Sequence, residues 1–599
     1  MRRFLHSFLD SLSSAFRLPS SSRSLNSNPK YSFQFAHWLF GRALGLICLL
    51  AFASYWIQAD ALIGPMGISP WEKDLRFIEG LPAIEENITS KWTLRPTLLW
   101  LQPFANHDLL FAVGTLSAVL LMLGIIPAIS AIIAYITYLS VMVVGDPFLS
   151  FQWDILLLET LLLSLPFLPF TRLHKLSNCY PISTIGRFLL VALLAKLILE
   201  SGLVKFTFFA GDGSNRWRDL SALSFHYWTQ PLPHPLSPWI HSLPNWFDQF
   251  SLFSMYAVEL LFPFFLFLPG IWRRVGVTGQ IILQVAILLS GNYGFFNLLT
   301  LCLCIPLLDD QMLPSFLQRK IQLTKTPEKK TLFIFRSGIA CILTLIFAIT
   351  TVGHLLRDAQ GNQPVSGNHW KIPRWVQDLQ AKASPFHCFN SYGLFRVMTT
   401  QRPEIIIEGS YDGETWETYE FQWKPSHKNQ ALKFAGPHMP RIDWQMWFEG
   451  LNFENYANHP FSRFLYGRFL QMMVDGESDK IFSNLERVLG PEEFQAIQQA
   501  EPRVQNQFLS NYNHLIQSFL ARSKWFGSLL YALGQEHDDV LEKLSATNPV
   551  SFKPHYLRVS LKHFKFSEKK GETWEIQDIP EATYILSLGT RAETKKEKP

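Results

Sequence analysis

Nine stretches of the chain run apolar for about the length a hydrocarbon core requires, roughly 20 residues with a range of about 17 to 25. They are 37–57, 109–124, 126–144, 154–170, 186–204, 251–269, 275–291, 294–308 and 332–353. Two of them, 109–124 and 294–308, are short enough to be tilted hairpin partners or half-spans, so the pattern predicts seven to nine membrane helices. Beyond residue 355 the long apolar runs stop. Residues 402–424 pass from a β-branched run through Ser410-Tyr411-Asp412-Gly413 into an alternating aromatic run, Trp416, Tyr419, Phe421 and Trp423, which predicts a β-hairpin with one buried face. A second strand pair is predicted at 556–565 and 573–577, and 478–545 reads as helical.

The expected fold is therefore an α-helical polytopic membrane bundle followed by an extracytoplasmic, mainly-β sandwich domain with a helical insert. The divisions are a cytoplasmic tail at 1–35, a bundle at 36–355 with outer loops 58–108 and 205–250, a β-rich domain at 356–589 with its insert at about 453–545, and a disordered Lys- and Glu-rich tail at 590–599.

Charge supplies the orientation. Only 17% of residues are charged, against about 25% in soluble proteins, and the deficit falls in the first half. The net charge of +5 comes from the N-terminal tail, short loops, 319–330 and the C-terminus, with no basic face for nucleic acid. With the basic tail inside, nine crossings place Arg172 and Lys175, Arg273 and Arg274, and Arg319 to Lys330 inside as well. The acidic loop 58–108, with Asp60, Glu72, Asp74, Glu79, Glu85 and Glu86, falls outside, as the positive-inside rule requires. Nine is odd, so the C-terminal domain is expected outside, in a periplasm or an endoplasmic reticulum lumen. The outer loop also holds a glycosylation sequon, Asn87-Ile88-Thr89. Cys388 is the only one of six cysteines expected outside, which leaves that domain without an internal disulfide. No Cys-x-x-Cys and no His-rich metal spacing is present, and neither a metal nor a cofactor is expected.

Ionisable residues inside spans are costly and mark functional candidates. Asp154 and Glu159 share the fourth span but lie roughly 140° apart around it, so they cannot share a face. Asp154 sits near the outer end, where water can solvate it; Glu159, and Glu259 on the sixth span, lie deeper. Lys196 and Glu200 have the i, i+4 spacing of a helical ion pair. In the outer loop, the aromatic, proline-rich run 225–235 suits a rigid lid at headgroup level. His226 and His234 there read first as hydrogen-bonded structural residues.

Several long motifs strongly resemble the lipase maturation factor family. They are Phe151-Gln152-Trp153-Asp154-Ile155-Leu156-Leu157-Leu158-Glu159-Thr160; the 217–236 stretch with Trp217, Arg218, Asp219 and Gln230; and Gly291-Asn292-Tyr293-Gly294-Phe295-Phe296-Asn297. In the outer domain they continue with Asn390-Ser391-Tyr392-Gly393-Leu394-Phe395-Arg396 and Pro440-Arg441-Ile442-Asp443-Trp444. The resemblance runs over about 150–580. It implies a multi-pass protein whose C-terminal domain assists assembly of secreted lipases, in the endoplasmic reticulum membrane of a eukaryote or the inner membrane of a bacterium. It brings no known catalytic set. The segment 453–523 looks longer than the family pattern. The expected partners are membrane lipids and immature secreted lipases or other exported proteins. The alternative is a membrane-embedded enzyme on a lipid or isoprenoid substrate, laid out distantly like vitamin K-dependent carboxylases, with Glu159, Lys205 and His226 as catalytic candidates. A transporter would show an inverted repeat, and none is visible.

Overall fold

A computed structural model describes residues 32–318, 324–325, 330–362, 371–545 and 547–589. Residues 1–31 of the expected N-terminal tail, the C-terminal tail and most of the basic stretch 319–329 lie outside the described residues.

Each of the nine apolar runs contains helix, although the fourth leaves it after Ser164 and the sixth after Phe265. We number the main helices α1 (Gln34–Ile63), α2 (His107–Leu123), α3 (Pro127–Met142), α4 (Gln152–Ser164), α5 (Thr184–Thr207), α6 (Asn245–Tyr256), α7 (Ile271–Ser290), α8 (Phe296–Cys304) and α9 (Lys330–Gln360). Three of them, α1, α7 and α9, are long and apolar enough to cross a membrane. The rest differ for visible reasons. α5 has 24 residues but carries Arg187, Lys196, Glu200 and Lys205, and the sixth run breaks at a π-turn, Ala257–Leu261, before Phe262–Phe265. α1 lies close along α2 because Gly45 lacks a side chain: a Cβ there would sit 2.3 Å from the Met122 amide nitrogen.

The strands beyond residue 400 form a single four-stranded antiparallel sheet in place of the expected sandwich. Its strands are β1 (Pro403–Ser410), β2 (Glu417–Thr418), β3 (Tyr556–Phe566) and β4 (Trp574–Ser587), in the order β2-β1-β3-β4. Apart from a two-residue pairing at 178–179 with 324–325, no other sheet occurs among the described residues. Ile405 pairs with Leu561 and Ile407 with Val559, so these four share one face. The opposite face presents Ile406, Phe564 and Trp574, and Tyr227 and Trp228 of the 205–250 loop pack on it. That loop is thus a cover for the sheet.

The predicted hairpin is real but short. Tyr419 N–H still reaches the Ile407 carbonyl at 2.8 Å. The Glu420 N–H goes to Asn548 Oδ1 at 3.3 Å, and further on Trp423 N–H and Lys424 N–H turn to the Asp443 carboxylate at 2.7 and 2.9 Å. The period-two alternation persists, with Tyr419 and Phe421 buried, but its backbone is captured by the start of a helix.

That helix, α10 (Arg441–Ala457), packs on the sheet at Gly450, where a Cβ would lie 2.3 Å from the Pro403 carbonyl oxygen. After it come α11 (Pro460–Val474), α12 (Pro502–Arg522) and α13 (Lys524–Gly534), with shorter helices between them. Glu449 of α10 is wholly buried and accepts the Tyr466 hydroxyl of α11 at 2.7 Å. Burial pushes its carboxyl up from 4.5 to about 8, against the lowering effect of that hydroxyl. The folded protein therefore keeps this proton over a range in which the unfolded chain has released it. Glu449 makes stability fall as pH rises from about 4.5 to 8. Glu449→Gln should flatten the pH dependence of the melting temperature across that window and raise stability at pH 8.

Candidate functional site

The polar residues of the sequence motifs gather where the helical bundle meets the C-terminal residues. In the first turn of α4, Asp154 is fully buried rather than solvated. It meets Arg441, the first residue of α10, in a two-pronged ion pair: Nη1 to Oδ2 at 2.7 Å and Nη2 to Oδ1 at 2.8 Å. Tyr138 of α3 donates to the same carboxylate at 2.6 Å, and Arg441 Nη1 also donates to the Phe148 carbonyl at 2.9 Å. Charge-assisted, bidentate geometry of this kind is what makes a buried pair tolerable. α1 grips the same turn. Gln58 Oε1 accepts the Arg441 N–H at 2.9 Å, Gln58 Nε2 donates to the Met439 carbonyl at 3.0 Å, and Ser54 accepts the Met439 N–H at 2.9 Å. Trp153 and Trp444 close the junction edge to face, with centroids 5.1 Å apart. Asp443, raised to about 6 by burial and lowered by the two amides it accepts, fixes the approach of residues 423–424.

Glu159 is the second hub. It accepts the Asn390 N–H at 2.9 Å, the Asn390 amide at 3.0 Å and the Tyr392 hydroxyl at 2.7 Å, all on Oε2, while Lys196 reaches Oε1 at 3.3 Å. This corrects the expected Lys196–Glu200 pair. Helical spacing puts those two on one face, but Glu159 across the interface takes the ammonium, and Glu200 instead accepts the Tyr392 N–H at 2.8 Å. Gln152 accepts the Gly393 N–H at 3.1 Å. The segment 390–393 is therefore threaded into the bundle through its own backbone amides. Phe389 and Phe395, on either side, hold φ of 61° and 53°, a left-handed conformation that bulky residues adopt only when their surroundings enforce it. Phe395 gives its carbonyl to the Trp217 indole at 2.9 Å. Arg396 donates to Ser391 at 3.3 Å and lies 4.0 Å from Asp358 of α9.

A third set secures the loop cover. Arg402 of the 403–410 strand's leading edge is fully buried. It donates to the carbonyls of Trp228 at 3.0 Å, of Pro231 at 2.8 Å and of Gln230, and pairs with Glu404 at 2.6 Å. Gln230 Nε2 donates to the Ser290 carbonyl at 2.8 Å. Asn292 Oδ1 accepts the Ala435 N–H at 2.9 Å, while its amide donates to the Lys433 carbonyl at 2.9 Å. Tyr293 donates to Gln230 Oε1 at 3.0 Å and receives His226 Nε2 at 3.0 Å. Burial holds His226 down at about 4, with the Lys205 charge adding to the effect, so the ring is neutral at neutral pH. Asn297 donates to Gln284 at 2.9 Å inside the bundle. Arg218 and Asp219 stand apart from the junction: Arg218 lies over Phe206 at 4.6 Å, and Asp219 faces Arg216 at 3.5 Å on an exposed turn.

The three catalytic candidates are not assembled into one site. Glu159 is saturated by its donors, His226 is bonded to Tyr293, and Lys205 is closed on both oxygens of Glu259 at 2.7 and 2.8 Å. Lys205→Met should cost about 3 kcal/mol by stranding the Glu259 carboxylate. Adding Glu259→Gln should restore most of the melting temperature in detergent, as a structural pair requires and a catalytic base does not. Among possible metal ligands, Asp60, His107 and Asp108 each bring one atom within 4.8 Å of the others, but His107 is already bonded to Asp60 at 3.0 Å and Asp108 to the Trp56 indole at 2.8 Å. Sequence reasoning did not single out Ser54, Gln58 or Arg402. Their only signal is that polar residues stand in stretches otherwise apolar or β-branched.

Comparison with known proteins follows the same division. Residues 35–315 match the model for the lipase maturation factor transmembrane domain, and 388–479 the model for the lipase maturation factor C-terminal domain. The C-terminal match takes in 453–479, the beginning of the stretch read as atypically long. Lipase maturation factor 2 of Xenopus tropicalis is 32% identical over 522 residues, covering 71% of this chain and 72% of its own. Lipase maturation factor 2 of Homo sapiens is 30% identical, covering 72% and 74%. Lipase maturation factor 1 of Mus musculus is also 30% identical, covering 72% and 75%. No solved structure gives a significant match. Asp154, Glu159, Gln230 and Asn292 fall in the first matched stretch and Asn390, Arg402 and Arg441 in the second, so the two regions by which the family is recognised are those that meet at the junction, and the chain belongs to the lipase maturation factor family.

Proposed function

We propose that the protein is an integral membrane maturation factor that assists the assembly of secreted lipases, with the N-terminus cytoplasmic and residues 356–589 extracytoplasmic. The observation that carries this reading is similarity over more than two thirds of both chains to proteins named lipase maturation factor. The junction supports it. Buried carboxylates of the bundle are spent on holding the outer domain, which suits a presenting scaffold better than a reaction centre. The same fact weighs against the enzyme alternative, whose candidate base Lys205 is neutralised by Glu259. In this reading all nine helical runs cross or enter the membrane, and immature lipases meet the outer domain.

The test is complementation. A cell line lacking its own maturation factor is given this protein together with a secreted lipase. Secreted lipase activity per unit of lipase antigen should rise several-fold. Unchanged specific activity, with the factor stably expressed, would overturn the reading.

A further inference from the structure

We propose that Asn87 is an acceptor site for an N-linked oligosaccharide. The inference rests on the orientation proposed above, which puts the loop between α1 and α2 outside. Asn87-Ile88-Thr89 is the only Asn-x-Ser/Thr triplet in the 599 residues, so one site and one glycan are at issue.

The structure presents this triplet to solvent. α1 ends at Ile63 and α2 begins at His107. The chain between them forms a small cap of short helices, Trp71–Glu79, Pro82–Glu85 and Lys91–Leu94. The cap is anchored by Trp71, Leu75, Ile78 and Leu99, all buried. Asn87 stands on the turn between the second and third helices, exposed on its outer surface. The turn is shaped by local backbone bonds alone: Asn87 N–H to the Ile84 carbonyl at 3.0 Å, with Ile88 N–H and Thr89 N–H both on the Ala83 carbonyl at 2.9 and 3.0 Å. Asn87 has φ of 57°, a left-handed conformation that asparagine takes more readily than other side-chain-bearing residues. Ile88 is 73% exposed. An isoleucine left this bare places no packing demand on the turn, so a transferase can draw the tripeptide into an extended shape without disturbing the anchored core. The flanking Glu85 and Glu86 are also exposed and keep the turn in water.

The donor class is an oligosaccharide carried on a lipid pyrophosphate. The Asn87 side-chain nitrogen bonds to C1 of the first sugar, the C1–O bond to pyrophosphate breaks, and the lipid pyrophosphate departs with the electron pair. The amide nitrogen gives one proton to the transferase, and no oxidant or reductant is needed. The Thr89 hydroxyl two residues on is the recognition element.

The experiment translates the full chain in the presence of microsomes derived from endoplasmic reticulum. The expected result is one step up in apparent mass, removed by an endoglycosidase and absent from Asn87→Gln and Thr89→Ala. A reference sequon separates site from orientation. In the Asn87→Gln background, Gly413→Asn completes a triplet with Glu414 and Thr415 on an exposed turn of the outer domain, where φ of 80° suits asparagine. If that variant is glycosylated while the unaltered chain is not, the Asn87 site is refuted and the orientation stands. If neither is glycosylated, the orientation fails and takes the site with it. The maturation role is read separately, from the lipase activity that Asn87→Gln supports.

Discussion

Arg441→Met should be among the most damaging single changes in the chain, lowering stability by about 5 kcal/mol, at the upper end for a broken buried pair. The reason is what the substitution leaves behind. Asp154 is buried completely and, once both guanidinium bonds are gone, is left with neutral donors such as the Tyr138 hydroxyl at 2.6 Å and no counter-charge. A carboxylate so placed either stays charged without a partner or binds a proton, and both penalise the folded state. The double variant Arg441→Met, Asp154→Asn removes the charge and leaves an amide oxygen for Tyr138, so it should melt within a few degrees of the parent. The single variant should lose its cooperative transition in detergent, together with support of lipase secretion. If the two variants behave alike, the ion pair is not what holds α10 to the bundle.

Glu159 and Glu200 offer a second large and asymmetric effect. Glu159→Ala removes the acceptor for three donors from the 390–392 segment and leaves the Lys196 ammonium buried. A loss of about 4 kcal/mol is expected. Glu200→Gln keeps an oxygen for the Tyr392 amide, its bond in the junction at 2.8 Å, and should change stability by no more than about 1 kcal/mol. Had Lys196 and Glu200 been mutual partners, the second substitution would be the costly one. Thermal melts of the two purified variants decide between the pairings.

The helices of the bundle were legible because long apolar runs announce themselves in one dimension, and three of them are long and apolar enough to cross a membrane. The strand at 556–566 was legible almost to its ends, but only the first few residues of 574–587 were, because the rest of that strand has no regular alternation of burial. The junction was not. Asp154 and Arg441 are 287 positions apart, and neither position hints at the other. The Lys196–Glu200 spacing misled because i, i+4 reports only a shared helix face, and a closer carboxylate on α4 outcompetes it. The sandwich misled because alternation of Tyr419 and Phe421 describes burial, while Asp443, reached only in three dimensions, decides where the backbone amides go. The motif residues as a set were readable from the family resemblance; the partner of each was not.

The span between junction partners also has a consequence in time. Translation delivers residues at roughly 5–20 per second. Asp154 emerges with its helix, yet Arg441 follows 287 residues later, so the carboxylate waits roughly 15–60 seconds for its partner at those rates. Glu159 waits for Asn390, 231 residues downstream. Through that interval the bundle is an unfinished client of the translocation machinery, and the arriving outer segment completes it. A ribosome that stops anywhere before residue 390 thus releases membrane helices that carry unmet charge, a species the cell's degradation systems can tell from the finished protein without inspecting the missing domain at all.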